Sequence, residues 1–164
     1  MRQQGSNHTV TQISLSMIKK NKSRSILIAI FMLDDRKGMM FNHRRQSRDR
    51  QVIQRILQLA EGRIIRMSPY TATLFEGESS DAHVISSSHF YEEAGDNDFC
   101  IFEETLPDEI GQIKEMIIFW WNRKYPGDVF FNVDLENGTW FRERAEEFQG
   151  TSHEKITMEH YIRR

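Results

Sequence analysis

The chain has 164 residues, a length typical of one domain, and its 38% hydrophobic and 28% charged residues are typical of a soluble protein with its own core. The formal net charge of −2 argues against a broadly basic, nucleic-acid-binding surface. The charge is uneven, because residues 1–25 carry five Lys and Arg residues and no acid, while residues 26–164 are acidic.

The basic segment 1–25 contains no apolar stretch long enough for a signal peptide or a membrane-spanning helix. We predict a disordered extension, as is usual for polar termini, with a targeting segment, an RNA-touching arm and a misassigned start codon as alternatives. The single cysteine, Cys100, excludes an internal disulfide and fits the reducing cytoplasm. We therefore predict one domain at residues 26–164, in a cytoplasmic protein with no membrane partner.

The sequence of residues 26–60 predicts a strand, a loop and a helix. The apolar run 26–33 is typical of a strand buried on both faces, and a turn at Lys37–Gly38 leads into an irregular loop over 39–46. An amphipathic helix follows, for which Ser47 or Asp49 is the predicted cap. Its apolar face consists of Val52, Ile53, Ile56, Leu57 and Ala60.

The sequence from residue 63 onward predicts mainly strands, with short helices at 70–75 and 88–94. The predicted strands are 63–67, 83–85, 99–102, 116–121 and 155–162. After a turn at 125–128, the segment 129–131 is predicted to return as the partner of strand 116–121. Trp120 and Trp121 would point to opposite faces of that strand, so at most one of them lines a given pocket.

From Ile26 onward, the order of these features resembles dihydrofolate reductase, in which a first strand, a Gly-containing loop and a short helix open the chain. The resemblance implies an α/β, three-layer fold with a mostly parallel central sheet and an antiparallel C-terminal hairpin. In that family a carboxylate near the helix start binds the pterin, and an aromatic residue one turn later packs against it. Asp49 and Ile53 fall at these positions, so the resemblance implies Asp49 as the catalytic residue.

The resemblance breaks down at the residues that bind the nicotinamide cofactor. Thr71 stands where the family has a Thr that touches the cofactor's phosphates, but Ser68–Pro69 replaces the Gly-Arg pair before it. Glu103–Glu104 replaces a Gly-Gly pair that lets the pyrophosphate approach the backbone, and two carboxylates would repel that group. We therefore expect no cofactor, with NADPH as the alternative, and the loss of standard NADPH-dependent reduction.

The predicted ligand site lies beyond the first strand, where open α/β folds bind ligands. Because arginine favours bidentate contact with phosphate or carboxylate, the Arg-rich loop predicts a phosphorylated ligand, while the resemblance implies a small planar one. The predicted ligand-binding residues are Asp34, Asn42, His43, Arg44, Arg45, Arg48, Ile53, Thr71 and Phe75. The alternative is a solvated loop, with Asp49 serving only as a favourable charge at the helix start.

The chain is also similar to short bacterial proteins that carry the label ribonuclease Z. A zinc nuclease of that type needs clustered ligands such as His-x-His-x-Asp-His. The six histidines are at least six residues apart, so the sequence predicts no metal site. The second hypothesis is therefore an RNA-binding or RNA-processing protein that uses the Arg-rich loop and the basic tail.

A third hypothesis is an interaction module with an exposed aromatic patch at 120–125. His153 is predicted on the surface or in a loop. The sequence contains no P-loop and no Ser/His/Asp triad signature.

Overall fold

The computed structural model describes residues 25–164, and the predicted basic tail falls outside them apart from Ser25. The helices are α1 (Arg50–Leu59) and α2 (Pro69–Ala72), with 3-10 turns at Thr73–Phe75 and Ile110–Gln112. The strands are β1 (Leu27–Leu33), β2 (Gly38–Phe41), β3 (Arg44–Arg45), β4 (Ile64–Met67), β5 (His83–Ser86), β6 (Phe99–Ile101), β7 (Ile113–Trp120), β8 (Val129–Phe130), β9 (Trp140–Phe148) and β10 (Ile156–Arg163).

A seven-stranded sheet forms the centre of the described structure, in the order β5-β4-β6-β1-β7-β10-β9. The first five strands in this order are parallel to their neighbours. Strand β10 pairs antiparallel with β7 and with β9. The predicted α/β class, mostly parallel sheet and antiparallel C-terminal hairpin are confirmed.

Strand β1 is the centre of the core, and all seven of its residues are buried. Alternate side chains enter the two apolar clusters on opposite faces of the sheet, with Ile30 on one face and Phe31 on the other. A strand that is covered on both faces has no position for a polar side chain, which explains its continuous apolar sequence. This confirms the strand predicted at 26–33.

Helix α1 covers one face of the sheet with the apolar residues that its sequence places on one side. Val52, Ile53, Ile56 and Leu57 are buried. Asp49 is the N-cap, since its side chain accepts a hydrogen bond from Gln51 N at 2.9 Å.

The opposite face is covered by turns and by a small second sheet, ordered β3-β2-β8. This sheet corrects the irregular loop predicted over 39–46, because β2 and β3 form a hairpin there. Its two-residue turn, Asn42–His43, has positive φ at both residues, 50° and 62°. Asn-His lacks the glycine that usually marks such turns, so the sequence does not predict it.

Two further predictions are wrong. Strand β8 pairs with β2 and not with the strand that ends at Trp120, where β10 supplies the partner. The helix predicted at 88–94 is a series of turns, in which Glu93 N donates to His89 O at 3.1 Å and further hydrogen bonds run to the Ser87 side chain. Ordering a first helical turn costs more free energy than one hydrogen bond returns, and no further helical residues follow here to add more bonds.

The two neighbouring tryptophans behave as the strand pattern predicts. Trp121 packs in the cluster under α1, and Trp120 packs against the cluster on the opposite face. Trp121 is only 2% exposed and Tyr125 is half-buried, so the exposed aromatic patch that the third hypothesis needs is not formed. Among the described residues, no helix has the length and apolar character that a membrane crossing requires.

Candidate functional site

Two polar centres lie beyond the carboxyl end of β1, and the segment 45–49 contributes to both. The first centre joins Asp49 to His153 from the loop before β10. His153 Nδ1 lies 2.9 Å from Asp49 Oδ2, and their side chains are 1% and 0% exposed. His153 lies in a loop, as predicted, but it is not on the surface, because the imidazole fills a buried space with its ring centre 4.7 Å from that of Trp121.

Hydrogen bonds from the loop before β10 surround the Asp49 carboxylate. It accepts from Thr151 N at 2.9 Å and from Ser152 N at 2.8 Å, in addition to Gln51 N and the His153 ring. Burial alone would raise the pKa of Asp49, but these hydrogen bonds outweigh it and lower the pKa to about 2. The carboxylate is therefore a fixed negative charge at neutral pH.

The far side of the His153 ring meets two hydroxyl groups. Ser47 Oγ is 3.1 Å and Tyr125 OH is 3.0 Å from Nε2, and the two hydroxyls are 3.3 Å apart. Ser47 and Tyr125 are half-buried. The centre thus runs from a sealed carboxylate to hydroxyl groups near the surface.

The second centre is an ion pair between Arg45 and Glu103. Arg45 donates from Nε and Nη2 to the two carboxylate oxygens, at 2.9 and 3.1 Å. Thr71 Oγ1 donates to the same carboxylate at 2.9 Å, and the guanidinium lies 4.2 Å from the centre of the Tyr70 ring. Glu103 is 6% exposed, so this carboxylate is committed to contacts within the chain.

A groove of about 260 Å³ opens beside the second centre, at the carboxyl ends of β4 and β6. Glu104 lies on its exposed side and accepts a hydrogen bond from the Ser68 hydroxyl. The residues that line the groove are Ser68, Pro69, Ser88, Phe90, Tyr91, Glu92, Ile101, Glu103, Glu104 and Thr105. The lining combines aromatic rings with carboxylates, so it suits a planar molecule with hydrogen-bond donors more than a phosphate.

The groove lies where open α/β sheets bind ligands, and the whole architecture has a counterpart among solved structures. Dihydrofolate reductase from Enterococcus faecalis, complexed with NADP(H) and RAB-propyl, superposes with a TM-score of 0.59 and covers 84% of this chain and 96% of its own. The chain has a dihydrofolate reductase-like fold. At 11% identity the likeness establishes the fold and not an activity. No protein-family model and no curated protein matches the chain.

Within the dihydrofolate reductase-like fold, the predicted ligand-binding residues do not form one group. Arg45 and Thr71 meet at Glu103. Ile53 and Phe75 are buried in the apolar cluster under α1. The hairpin tip carries Asn42, His43 and Arg44, which are exposed, as is Arg48.

Asp34 has a local partner set of its own. It is 1% exposed and accepts from Gly38 N at 2.7 Å and from Tyr125 N at 3.0 Å. These bonds join the end of β1 to the turn after β7, so the carboxylate shapes the loops around both centres. Whether it or the other predicted residues contact a ligand stays a prediction.

Several arginines in and around the Arg-rich loop already have partners within the chain, which the sequence does not predict. Arg45 is paired with Glu103, Arg50 lies 3.3 Å from Glu78, and Arg36 donates to Tyr125 O at 2.9 Å. RNA binding and the similarity to proteins labelled ribonuclease Z stay predictions. In residues 25–164, no three side chains of the His, Cys, Asp and Glu types come together as they would to hold a metal ion.

Sequence reasoning missed Glu103 as a partner of Arg45 and missed the meeting of Ser47, Asp49 and His153. The first pair is separated by 58 positions, and Asp49 and His153 by 104. The sequence did indicate Asp49 as the cap of α1, and Asp49 is one member of the first centre. No sequence pattern locates its partner in the loop before β10.

Proposed function

We propose that this chain is a diverged dihydrofolate reductase-like protein that binds a small planar ligand and has lost standard NADPH-dependent reduction. The ligand would occupy the groove at the carboxyl ends of β4 and β6. Its aromatic and acidic lining favours a ring with amine or amidine donors over the phosphorylated alternative.

One observation carries the proposal. The Glu103 carboxylate, at the position where the resemblance expects the Gly-Gly pair, is buried and held by both Arg45 and Thr71. A pyrophosphate brought to this backbone would meet the ion-paired Glu103 side chain and the exposed Glu104 carboxylate in place of an open Gly-Gly backbone. Thr71, the residue that the resemblance assigns to the cofactor phosphates, already donates its hydroxyl hydrogen to that carboxylate.

The test is a thermal-shift and calorimetric screen of the full chain with NADPH, dihydrofolate, 2,4-diaminopyrimidines and short RNA. A ligand at about 100 times its dissociation constant stabilises the folded state by about 2.7 kcal/mol. We expect stabilisation by a diaminopyrimidine and none by NADPH. Stabilisation by RNA alone would instead favour the RNA-binding hypothesis.

Glu104→Gln is the variant that locates the ligand, because Glu104 lines the groove and is exposed. We expect weaker diaminopyrimidine binding with an unchanged melting midpoint of the free protein. Glu147→Gln, an exposed change on β9, is the matched control and should bind as the wild type does. NADPH-dependent turnover of dihydrofolate that Asp49→Asn abolishes would contradict the proposed loss of reduction.

A further inference from the structure

Ser47, His153 and Asp49 form a hydrogen-bonded series that the proposed ligand groove does not use. Ser47 Oγ lies 3.1 Å from Nε2 of His153, and Nδ1 of the same ring lies 2.9 Å from Oδ2 of Asp49. A neutral imidazole that donates its Nδ1 hydrogen to the carboxylate presents Nε2 to the serine as an acceptor. Hydroxyl, imidazole and carboxylate in this order are the arrangement that activates a serine nucleophile.

The imidazole is held from three directions. Asp49 binds one nitrogen, the Trp121 ring stacks on one face at an interplanar angle of 22°, and the Tyr125 ring packs edge-on with its centre 6.4 Å away. Asp49 is itself fixed by amide N–H groups of the loop before β10. A general base has to be held in this way, because small displacements cost much of its effect.

The series is open at its serine end. Asp49 and His153 are sealed from solvent, whereas Ser47 and Tyr125 are half-buried. The Tyr125 hydroxyl is 3.3 Å from Ser47 Oγ and 3.0 Å from His153 Nε2, so it borders the same ring nitrogen. When Tyr125 donates to Ser47 Oγ, the serine hydrogen is free to point at His153 Nε2.

We propose that Ser47 is a nucleophile that accepts acyl groups from small carboxylic esters, with His153 as its general base and Asp49 as the residue that positions the imidazole. This activity is separate from the proposed ligand groove, which is built on Glu103 and Glu104. Either function can therefore be present without the other.

The reaction needs only an ester and water. Ser47 Oγ bonds to the ester carbonyl carbon while its proton passes to His153 Nε2. The carbon–oxygen bond to the alcohol then breaks, and the departing oxygen takes that proton. A water molecule attacks the acyl-serine, transfers its proton to Nε2, and releases the carboxylic acid as Ser47 recovers its hydrogen. The net change is hydrolysis of one ester to one acid and one alcohol.

The decisive experiment is covalent labelling of the full-length protein with a fluorophosphonate, followed by peptide mass spectrometry. Exposed Ser79 in the same molecule is an internal control for chemical reactivity. We expect Ser47 to be labelled at least about 100-fold faster than Ser79, since general-base assistance contributes about that much or more. Equal rates, or no label on Ser47, would show that the series serves packing alone.

A second measurement tests the part played by the buried pair. Labelling of Ser47 should depend on pH, because an imidazole acts as a base only in its neutral form. In Asp49→Asn the amide donates to Nδ1 and drives the imidazole proton to Nε2, so the fast labelling and its pH dependence should both disappear. Ser79→Ala should change neither. Fast, pH-dependent labelling that persists in a folded Asp49→Asn variant would overturn the positioning role.

Discussion

Arg45 and Glu103 are joined by two hydrogen bonds of 2.9 and 3.1 Å, although 58 positions separate them in the sequence. Their side chains are 16% and 4% exposed. The pair connects the hairpin of β2 and β3 to the end of β6, and Thr71 adds a third hydrogen bond from α2. An ion pair of this kind adds modestly to stability but makes the loss of one partner costly.

We predict that Glu103→Gln lowers the free energy of unfolding by about 3 kcal/mol, because the Arg45 side chain, only 16% exposed, is left without its countercharge. Urea denaturation followed by circular dichroism measures the change. The matched control is Glu147→Gln, which removes a carboxylate that pairs with Lys155 while both side chains are more than half exposed. That change should stay below about 1 kcal/mol. Similar losses in the two variants would contradict a special contribution from Glu103.

We predict that the free energy of unfolding falls at acid pH as Asp49 becomes protonated. Its pKa is lowered from 3.8 to about 2 in the folded protein. Because the folded pKa lies below the unfolded one, the stabilisation is present above pH 3.8 and is lost as the pH falls through about 2. The shift corresponds to a contribution on the order of 2 kcal/mol. Asp49→Asn should remove this part of the pH dependence.

The measurement is the free energy of unfolding of the wild type and of Asp49→Asn between pH 5 and about pH 2. The two curves should converge at the acid end. The control is Asp35→Asn, which removes an exposed carboxylate from the turn after β1 and should give the same curve as the wild type. A constant difference between wild type and Asp49→Asn over the whole range would contradict the prediction.

Much of the fold follows from local sequence. The continuous apolar run of β1 specifies a strand covered on both faces, and the spacing of Val52, Ile53 and Ile56 specifies the buried face of α1. Asp49 fixes the helix start through its own side chain. Each of these signals lies within a few residues of the structure that it produces.

The rest depends on contacts between distant parts of the chain. Strand β8 pairs with β2 and not with β7, because β1 and β10 already occupy both edges of β7. His153 is buried because Trp121 and Asp49 provide a stacking surface and an acceptor. Nothing near position 153 in the sequence distinguishes this histidine from a solvated one.

The close surroundings of Gly150 allow a steric test of the loop that holds Asp49. A Cβ atom at this position would lie 2.5 Å from Asp49 Oδ2 and 2.9 Å from the backbone oxygen of His153. The loop would have to move, and the Thr151 and Ser152 amides would lose their contact with the carboxylate. Gly150→Ala should therefore lower the free energy of unfolding by about 2 kcal/mol, as overpacking typically does.

The control for this change is Gly111→Ala, since nothing lies within 4 Å of a Cβ atom at Gly111. It should leave the melting midpoint close to that of the wild type. If Gly150→Ala also displaces Asp49, its stability should lose the step between pH 4 and about pH 2 that the wild type shows. A stable Gly150→Ala variant with an unchanged acid profile would contradict this account of the loop.

The hairpin turn at Asn42–His43 predicts a stabilising substitution. Both residues have positive φ, 50° and 62°, which is unfavourable for a side chain but ordinary for glycine. The turn joins β2 to β3 with Phe41 opposite Arg44, so a two-residue loop with Asn first and Gly second suits this hairpin. His43→Gly should raise the free energy of unfolding by about 0.5 kcal/mol, since the relief of strain exceeds the entropy of a more flexible unfolded chain.

His43→Ala separates the backbone effect from the loss of the imidazole. It removes the same ring but keeps a Cβ atom at positive φ, so it should not stabilise the protein. The measurement is the difference in the free energy of unfolding between the two variants, from urea denaturation under the same conditions. A gain in His43→Ala equal to that in His43→Gly would assign the effect to the imidazole and contradict the assignment to backbone strain. A gain confined to glycine would show that the turn keeps its left-handed conformation in solution.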